Sequence, residues 1–331
     1  MKTSILWFSI IMSASKLLSI CIPAYNRPLW LKRALESITI ANAESRDDIE
    51  IVVTDDSSST ECESVTQEVL QNWSGSWKYI YNQPRLGMAK NWNYSIQVAS
   101  GEYVLVLHDD DFLLPNAITK IVKVIQRYKK QFSVFLFGVN VVNESEKIIK
   151  TQGFREDQDL LPQQAIQKLM SNSSFVRFPA LVINRDLFEK VGYFNEKIGG
   201  VADLEMWIRI FSKHSILCLS ETTAAYTVHE AALTTDMFNE EVIEKLLHLF
   251  RLVDDLNILE QRVFEDCKSN FFHQFILAGT YRQLKQGHYP EAVKIIDLFQ
   301  NDSLELNRPS LKWQTIRFLF QLILRLYNVY S

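Results

Sequence analysis

From Leu17 onward, short apolar runs alternate with segments of helical spacing. LLSICI is followed by a helix-like stretch over Leu29–Ile40, IEIVVT by one over Glu61–Trp73, and WKYIY by one over Met88–Ala99, after which comes YVLVLH. Continuous apolar runs of strand length separated by helical patterns predict βαβ units, hence an α/β fold around a mostly parallel sheet with right-handed crossovers and helices on both faces. In such sheets ligands gather at the carboxyl ends of the strands.

Those ends are where the polar residues cluster. Pro23-Ala24-Tyr25-Asn26-Arg27 follows the first run, Asp55-Asp56-Ser57 the second and His108-Asp109-Asp110-Asp111 the fourth. Beyond Phe112 the pattern predicts a helix started by Pro115 and a buried run at Phe132–Phe137. The region from Ser174 to His229 then reads as an apolar stretch (Phe178–Ile183), a turn at Gly192, a helix near Ala202–Lys213 and a pair of strands around Ile216–Val228. From about Asp236 nearly everything is helical in pattern, including a hairpin of Phe271–Gln286 and Pro290–Phe299 hinged at Gly287. That pair resembles one tetratricopeptide unit, but no repeat of its period follows, so it reads as a packing hairpin. Three regions are expected: an apolar extension over 1–16, an α/β domain over 17–235 whose halves are 17–115 and 116–235, and a helical C-terminal region over 236–331.

With 331 residues, 47% of them apolar and 22% charged, the chain can bury a large core. A formal net charge of -4 and the lack of a dense Lys/Arg stripe argue against nucleic acid as a partner. The four cysteines are scattered with no CxxC or Cys/His cluster, which points to a reducing compartment and no zinc site. Lys2, the apolar run Ile5–Met12 and Ser13-Ala14-Ser15 mimic a signal peptide, but the run is too short to span a bilayer and is read as an extension. The final helical stretch, Leu311–Tyr327, mixes Trp313, Phe318, Phe320 and many aliphatics with Lys312, Arg317 and Arg325. It suits either a membrane interface or packing onto the helical tail.

Neighbouring carboxylates repel and raise one another's pKa unless a cation neutralises them, so Asp109-Asp110-Asp111 asks for a divalent metal, Mn²⁺ or Mg²⁺, with substrate phosphates completing its shell. The alternative is a solvated helix-cap loop ahead of Pro115. Asp55-Asp56-Ser57 is either a turn former or a reader of a nucleoside through its carboxylates. In the PAYNR loop Pro23 stiffens the turn, Tyr25 offers a ring to a base and Arg27 a charge to phosphate.

Taken in order, SICIPAYNR, IEIVVTDDSS, PRLGMAKNWNYSI, GEYVLVLHDDDFLLP, INRDLFEKVGYFNE and ADLEMWIRI resemble family 2 glycosyltransferases of the GT-A fold, from Leu18 through about Thr235. The resemblance implies a nucleoside held by Pro23, Ala24, Tyr25 and Asp56, with Asp55 beside them, and phosphates near Arg27 and Lys90. Lys90 stands where the family often carries Arg, giving a point charge in place of a bidentate fork. Asp109 is then expected to face the ribose or sugar, and Asp110 to ligate the metal with Asp111 and the late His229. His108 departs from the Asp-x-Asp signature at its first position. The family's general base lies in a Glu-Asp pair opening a helix, and Asp203-Leu-Glu-Met-Trp207-Ile-Arg209 fits with Ala202 in place of the Glu, so Asp203 is the expected base. Its alternative is a first-turn acid that stabilises a helix start.

The activity so implied is inverting transfer from a nucleoside-diphosphate sugar, a UDP-sugar foremost, to a saccharide or lipid-linked oligosaccharide. The setting it implies is cytoplasmic, with contact at the inner face of the cell membrane. Trp207, Phe178 and Tyr193 are candidates to stack on an acceptor or to fill the core, and the acceptor is expected at Ser174–Asn195 and the helical tail. Rival readings are a catalytically degenerate nucleotide-sugar binder, given Ala202 and His108, and a nucleotidyltransferase, which lacks its Gly-rich phosphate loop here.

Overall fold

A computed structural model describes residues 16–41, 47–229, 237–307 and 309–330. The extension read over 1–16 lies outside them except for Lys16. The N-terminal half runs β1 (Leu18–Ala24), α1 (Pro28–Ala41), β2 (Ile49–Asp55), α2 (Glu61–Leu70), β3 (Ser76–Tyr81), α3 (Met88–Gln97) and β4 (Tyr103–Val106). Every residue of β1, β2 and β4 is buried, which is why each reads as an unbroken apolar run: both faces of these parallel strands are covered.

The chain continues through β5 (Phe112–Leu113), α4 (Ala117–Tyr128), β6 (Val134–Asn143), β7 (Ile148–Gln152), β8 (Gln158–Leu160), α5 (Pro162–Ser171), β9 (Leu181–Asn184), α6 (Asp186–Val191), α7 (Ala202–Phe211) and β10 (Ile216–Val228). It ends in α8 (Glu240–Asp255), α9 (Gln261–Gln286), α10 (Tyr289–Asp297) and α11 (Leu311–Tyr330). The ten strands form one mixed sheet in the order β3-β2-β1-β4-β9-β6-β10-β5, with β7 on β6 and β8 on β10. β1 to β4 are parallel; β9 runs antiparallel to both β4 and β6, and β10 is again parallel to β6. β1 has β2 on one side and β4 on the other, so strand order reverses there, and the loops after β1 and β4 flank the resulting crevice.

One apolar core runs from Leu17 to Leu304 and joins the sheet to α5, α7, α8 and α9. At the end of the sheet away from the acidic loops a buried polar network fixes strand register. Ser19 Oγ donates to Glu50 Oε2 at 2.5 Å, Ser100 N donates to the same oxygen at 2.8 Å and Lys78 Nζ lies 2.8 Å from Glu50 Oε1. Burial would raise the Glu50 pKa, but Lys78, Ser19 and Ser100 outweigh it and hold the carboxyl below its ordinary value.

Two expectations are corrected. The helix read from Pro115 begins at Ala117, because Asn116 takes a left-handed conformation (φ 61°) that a helix cannot include. The strand pair read around Ile216–Val228 is a single 13-residue strand: its polar centre, Ser220-Glu221-Thr222-Thr223, looks like a turn, but register shifts after Cys218 and Thr222 absorb the extra residues as bulges.

Gly101 opens β4 where no side chain fits, since a Cβ there would meet Ser19 N at 2.6 Å and Tyr103 O at 2.9 Å. Gly101→Ala is expected to lower the unfolding free energy by about 1–3 kcal/mol through overpacking, as measured by urea denaturation.

Candidate active site

Three loops meet at the carboxyl edge of β1, β2 and β4. Pro23 and Ala24 close β1 in register with Thr54 and Asp55, and Ala24 O accepts the Asp56 N–H at 3.0 Å. Asn26 turns the chain in a left-handed conformation (φ 52°), which Asn tolerates well, and is pinned by its N–H to Ser57 Oγ at 2.7 Å and by Ser58 N to its Oδ1 at 2.9 Å. Tyr25 N donates to Asp109 Oδ2 at 3.1 Å, while Arg27 Nη1 reaches Asp110 Oδ2 at 2.7 Å and Asp109 Oδ1 at 3.5 Å. The Tyr25 ring is partly exposed and lies under the Arg85 guanidinium, 3.9 Å from ring centroid to Cζ.

Asp55 and Asp56 are both buried, and the protein itself uses their oxygens. Asp55 accepts from Ser57 N at 2.8 Å and from Tyr79 Oη at 2.5 Å. Asp56 accepts from Asn82 Nδ2 at 2.7 Å, Leu86 N at 3.1 Å and Gly87 N at 2.7 Å, which shapes the loop entering α3. Lys90 has no residue of the acidic triplet beside it in the cavity it lines. It is exposed on α3 and lines a cavity of about 370 Å³ with Tyr81, Asn82, Tyr94, Gln97 and Glu196.

The triplet is electrostatically polarised. Burial pushes the Asp109 carboxyl up to about 7, and its neighbour Asp110 adds to the effect against Arg27. Burial, then Asp110, likewise drives Asp111 well above the carboxylate range. Burial also opposes ionisation of Asp110, but the His229 hydrogen bond and the Arg27 charge help to prevail over it and hold its pKa low. His229 Nε2 lies 2.9 Å from Asp110 Oδ2, and its ring packs on Trp30 at 4.5 Å. Arg33 Nη2 donates to the Asp110 carbonyl at 2.5 Å and to Thr227 Oγ1 at 3.0 Å, and Thr227 N donates to Asp111 Oδ1 at 2.8 Å.

Among the described residues, Asp111 Oδ2 and His108 Nε2 are buried without a hydrogen-bond partner. His108 packs between Trp92 and Phe178, and burial lowers its pKa and favours the neutral, ligating form. His108, Asp110 and Asp111 each bring one ligand atom to within 4.8 Å of the others. Two unpartnered buried acceptors beside an ionised carboxylate fit a divalent cation, and a carboxylate-rich donor set suits Mn²⁺ or Mg²⁺.

Asp203 sits in the first turn of α7, half-buried, with Oδ1 accepting from Leu204 N at 2.7 Å. Burial raises its pKa to about 6, against the pull of its helix N–H groups and of Arg177. Glu205 points elsewhere: it grips Arg209 through Nε at 2.7 Å and Nη2 at 2.8 Å, and Arg209 in turn donates to the carbonyls of Gly192 and Tyr193, so this pair fastens α7 to the turn after α6. Trp207 is buried against Phe178, Phe194 and Phe211, and Tyr193 stacks on Phe188, so these rings serve the core.

Two arginines escaped the sequence reading. Arg33 holds the triplet's backbone from α1, and the only local signal is its position three residues after Trp30, whose ring it overlies. Arg177 lies over the Tyr226 ring at 4.3 Å, and its charge lowers the pKa of both Asp111 and Asp203. It sits in an aperiodic stretch that gives no cue to its destination.

The family model for glycosyl transferase family 2 matches residues 19–192. A GalNAc(5)-diNAcBac-PP-undecaprenol beta-1,3-glucosyltransferase of Campylobacter jejuni is 26% identical over 299 residues, which cover 89% of this chain and 91% of that one. An uncharacterized Mycobacterium tuberculosis protein is 29% identical over 67% of this chain and 70% of its own. Among solved structures, S. aureus TarS 1-349 in complex with UDP-GlcNAc shares the fold at TM-score 0.61 and 17% identity, covering 86% of this chain and 80% of that one. The mannosyltransferase PcManGT from Pyrobaculum calidifontis, in complex with GDP-Man and Mn²⁺, does so at 0.53 and 15%, covering 96% and 88%.

A carboxyl whose folded pKa is raised contributes full stability below its unfolded pKa, and that contribution is lost as pH rises toward the folded value. Asp111 is such a group, so Asp111→Asn is expected to raise the melting temperature of the metal-free protein at neutral pH and to remove the stabilisation by Mn²⁺ expected of the wild type. Thermal melts with and without Mn²⁺ read both effects.

Proposed function

Because the chain belongs to glycosyl transferase family 2, we propose that this glycosyltransferase moves one sugar from a nucleoside-diphosphate donor to a saccharide hydroxyl with inversion, Asp203 acting as general base. The observation that carries this reading is Asp203 itself. Its carboxyl is raised to about 6 by burial, is bonded among the described residues only by its own helix start, and shares the influence of Arg177 with Asp111. A base with a pKa near working pH can both accept a proton and be ionised to do so.

The donor nucleoside lies along Pro23, Ala24 and Tyr25, with Asp55 and Asp56 ordering the adjoining loops and Asp109 toward the ribose or sugar. A base that stacks on Tyr25 takes the face now covered by Arg85. Arg27 supplies positive charge at the diphosphate and Lys90 the flank along α3. Asp110 and Asp111 would hold the divalent ion, with His108 in the cluster and His229 on Asp110, and a bound ion would supply Lewis-acid neutralisation of charge on the departing diphosphate. Asp203 removes the acceptor hydroxyl proton as that oxygen bonds to the anomeric carbon and the bond to the diphosphate breaks. Residues 17–115 thus serve the donor and 116–235 the acceptor.

The TarS and PcManGT complexes carry UDP-GlcNAc and GDP-Man respectively, and the higher fold similarity to TarS favours a UDP-sugar. The name of the Campylobacter jejuni relative, which matches over most of both chains, supports a lipid-linked saccharide acceptor, and with it a place at the inner face of the cell membrane.

A thermal-shift panel of UDP-, GDP-, dTDP- and CMP-sugars tests the donor site. One nucleotide class should stabilise the wild type only with Mn²⁺, by about 2.7 kcal/mol at a hundredfold excess over Kd, and Asp110→Ala should abolish the effect. No shift with any donor overturns the reading.

Asp203→Asn should cut kcat by about 10²–10⁴ while leaving donor-induced stabilisation intact. Since the base must be ionised, wild-type kcat/KM should fall about tenfold per pH unit below a pKa of about 6 and level off above it. A profile flat through that range removes Asp203 from the role.

A further inference from the structure

α11 is apolar on two sides, and among the described residues only one of them is packed. On the inner side Leu324 is buried against Ala292 and Ile296, Phe320 stacks on Tyr281 at 6.3 Å and Tyr327 stacks on Tyr289 at 4.4 Å. On the outer side Leu311, Phe318, Leu319, Leu322, Ile323 and Leu326 are each between 44% and 78% exposed. At helical spacing these six form one continuous stripe along the helix. Lys312 and Arg325 are exposed alongside it, and the helix contains no Asp or Glu, although the chain as a whole carries a net charge of -4.

We propose that this stripe docks the protein on an anionic lipid bilayer, with α11 lying in the interface plane. The chemistry of the face selects that occupant. An apolar stripe edged by cations alone matches a surface of acyl chains beneath anionic headgroups. A second copy of the same helix would instead set cations against cations with no acid to pair them. Among the described residues no helix is long and apolar enough to cross a membrane, so the contact is peripheral.

The position of the stripe gives it a use. α11 packs on α9, α9 on α5, and α5 on α7, whose first turn carries Asp203. The bilayer face is thus joined through α9 to the base side of the site. That a lipid-borne acceptor profits from this rests on the proposed transferase reading, whereas the docking itself does not.

Vesicle flotation of the full chain tests it, using phosphatidylcholine alone and phosphatidylcholine with phosphatidylglycerol, at low and high salt. The expected result is binding to the phosphatidylglycerol vesicles that weakens by about tenfold or more in high salt or in Lys312→Glu/Arg325→Glu. Phe318→Ser/Leu322→Ser should abolish binding while leaving the melting temperature unchanged, since both side chains are exposed. Failure of the folded wild type to float overturns the proposal, as does undiminished flotation of the serine variant or equal binding to phosphatidylcholine alone. Light scattering that shows an oligomer dissolved by the serine variant also overturns it, in favour of a second copy. Flotation needs no nucleotide, so failure of the donor reading and failure of the docking reading are told apart.

Discussion

Three consecutive carboxylates held at the dry end of a parallel sheet repel one another, and much of the surrounding structure can be understood as a response to that repulsion. Arg27 comes from the loop after β1, Arg33 from α1, His229 from the end of β10 and Arg177 from the segment before β9. Elements far apart in sequence converge because each brings a positive charge or an N–H donor to the same few oxygens. The compensation is incomplete: Asp110 is stabilised as the anion, while Asp109 and Asp111 are pushed toward the protonated form. The unsatisfied remainder is what an added cation would meet.

The sheet supplies the rigidity that this arrangement needs. Register between β1, β2 and β4 is locked at the opposite end by Glu50, Ser19 and Lys78, so the strands arrive at the acidic edge level with one another. A buried ionic network there fixes relative position, which apolar packing alone leaves looser. β10 crosses the second half of the sheet and delivers Thr227 and His229 to the same edge, its two bulges placing those residues in step with Asp111 and Asp110.

Much of this was legible in the chain. β1, β2 and β4 announce themselves because strands covered on both faces must be apolar throughout, and the polar tripeptides after them then fall on one edge by topology alone. The place of Asp203 at the opening of a helix was legible from its fixed spacing to Trp207 and Arg209, two residues to which the structure gives packing and fastening work. What was not legible depended on distant partners. Arg177 is a lone cation in an irregular stretch until folding sets it over Tyr226, and the loop over 82–86 takes its shape from the buried Asp56 carboxylate. The single β10 strand was hidden because a polar bulge and a polar turn have the same composition.

The stacking of Arg85 on Tyr25 means that the ring proposed to receive a base already has a resident. A ligand that binds there exchanges one partner for another, so its affinity reflects the difference between two stacks and not the full worth of its own. Weakly stacking molecules gain nothing from the exchange, and the aromatic face is kept from casual adhesion. The loop carrying Arg85 is also the one drawn in by Asp56 through Leu86 and Gly87, so eviction of the arginine would be felt at that carboxylate. On that proposal, occupancy of the ring and the shape of the loop would be a single event.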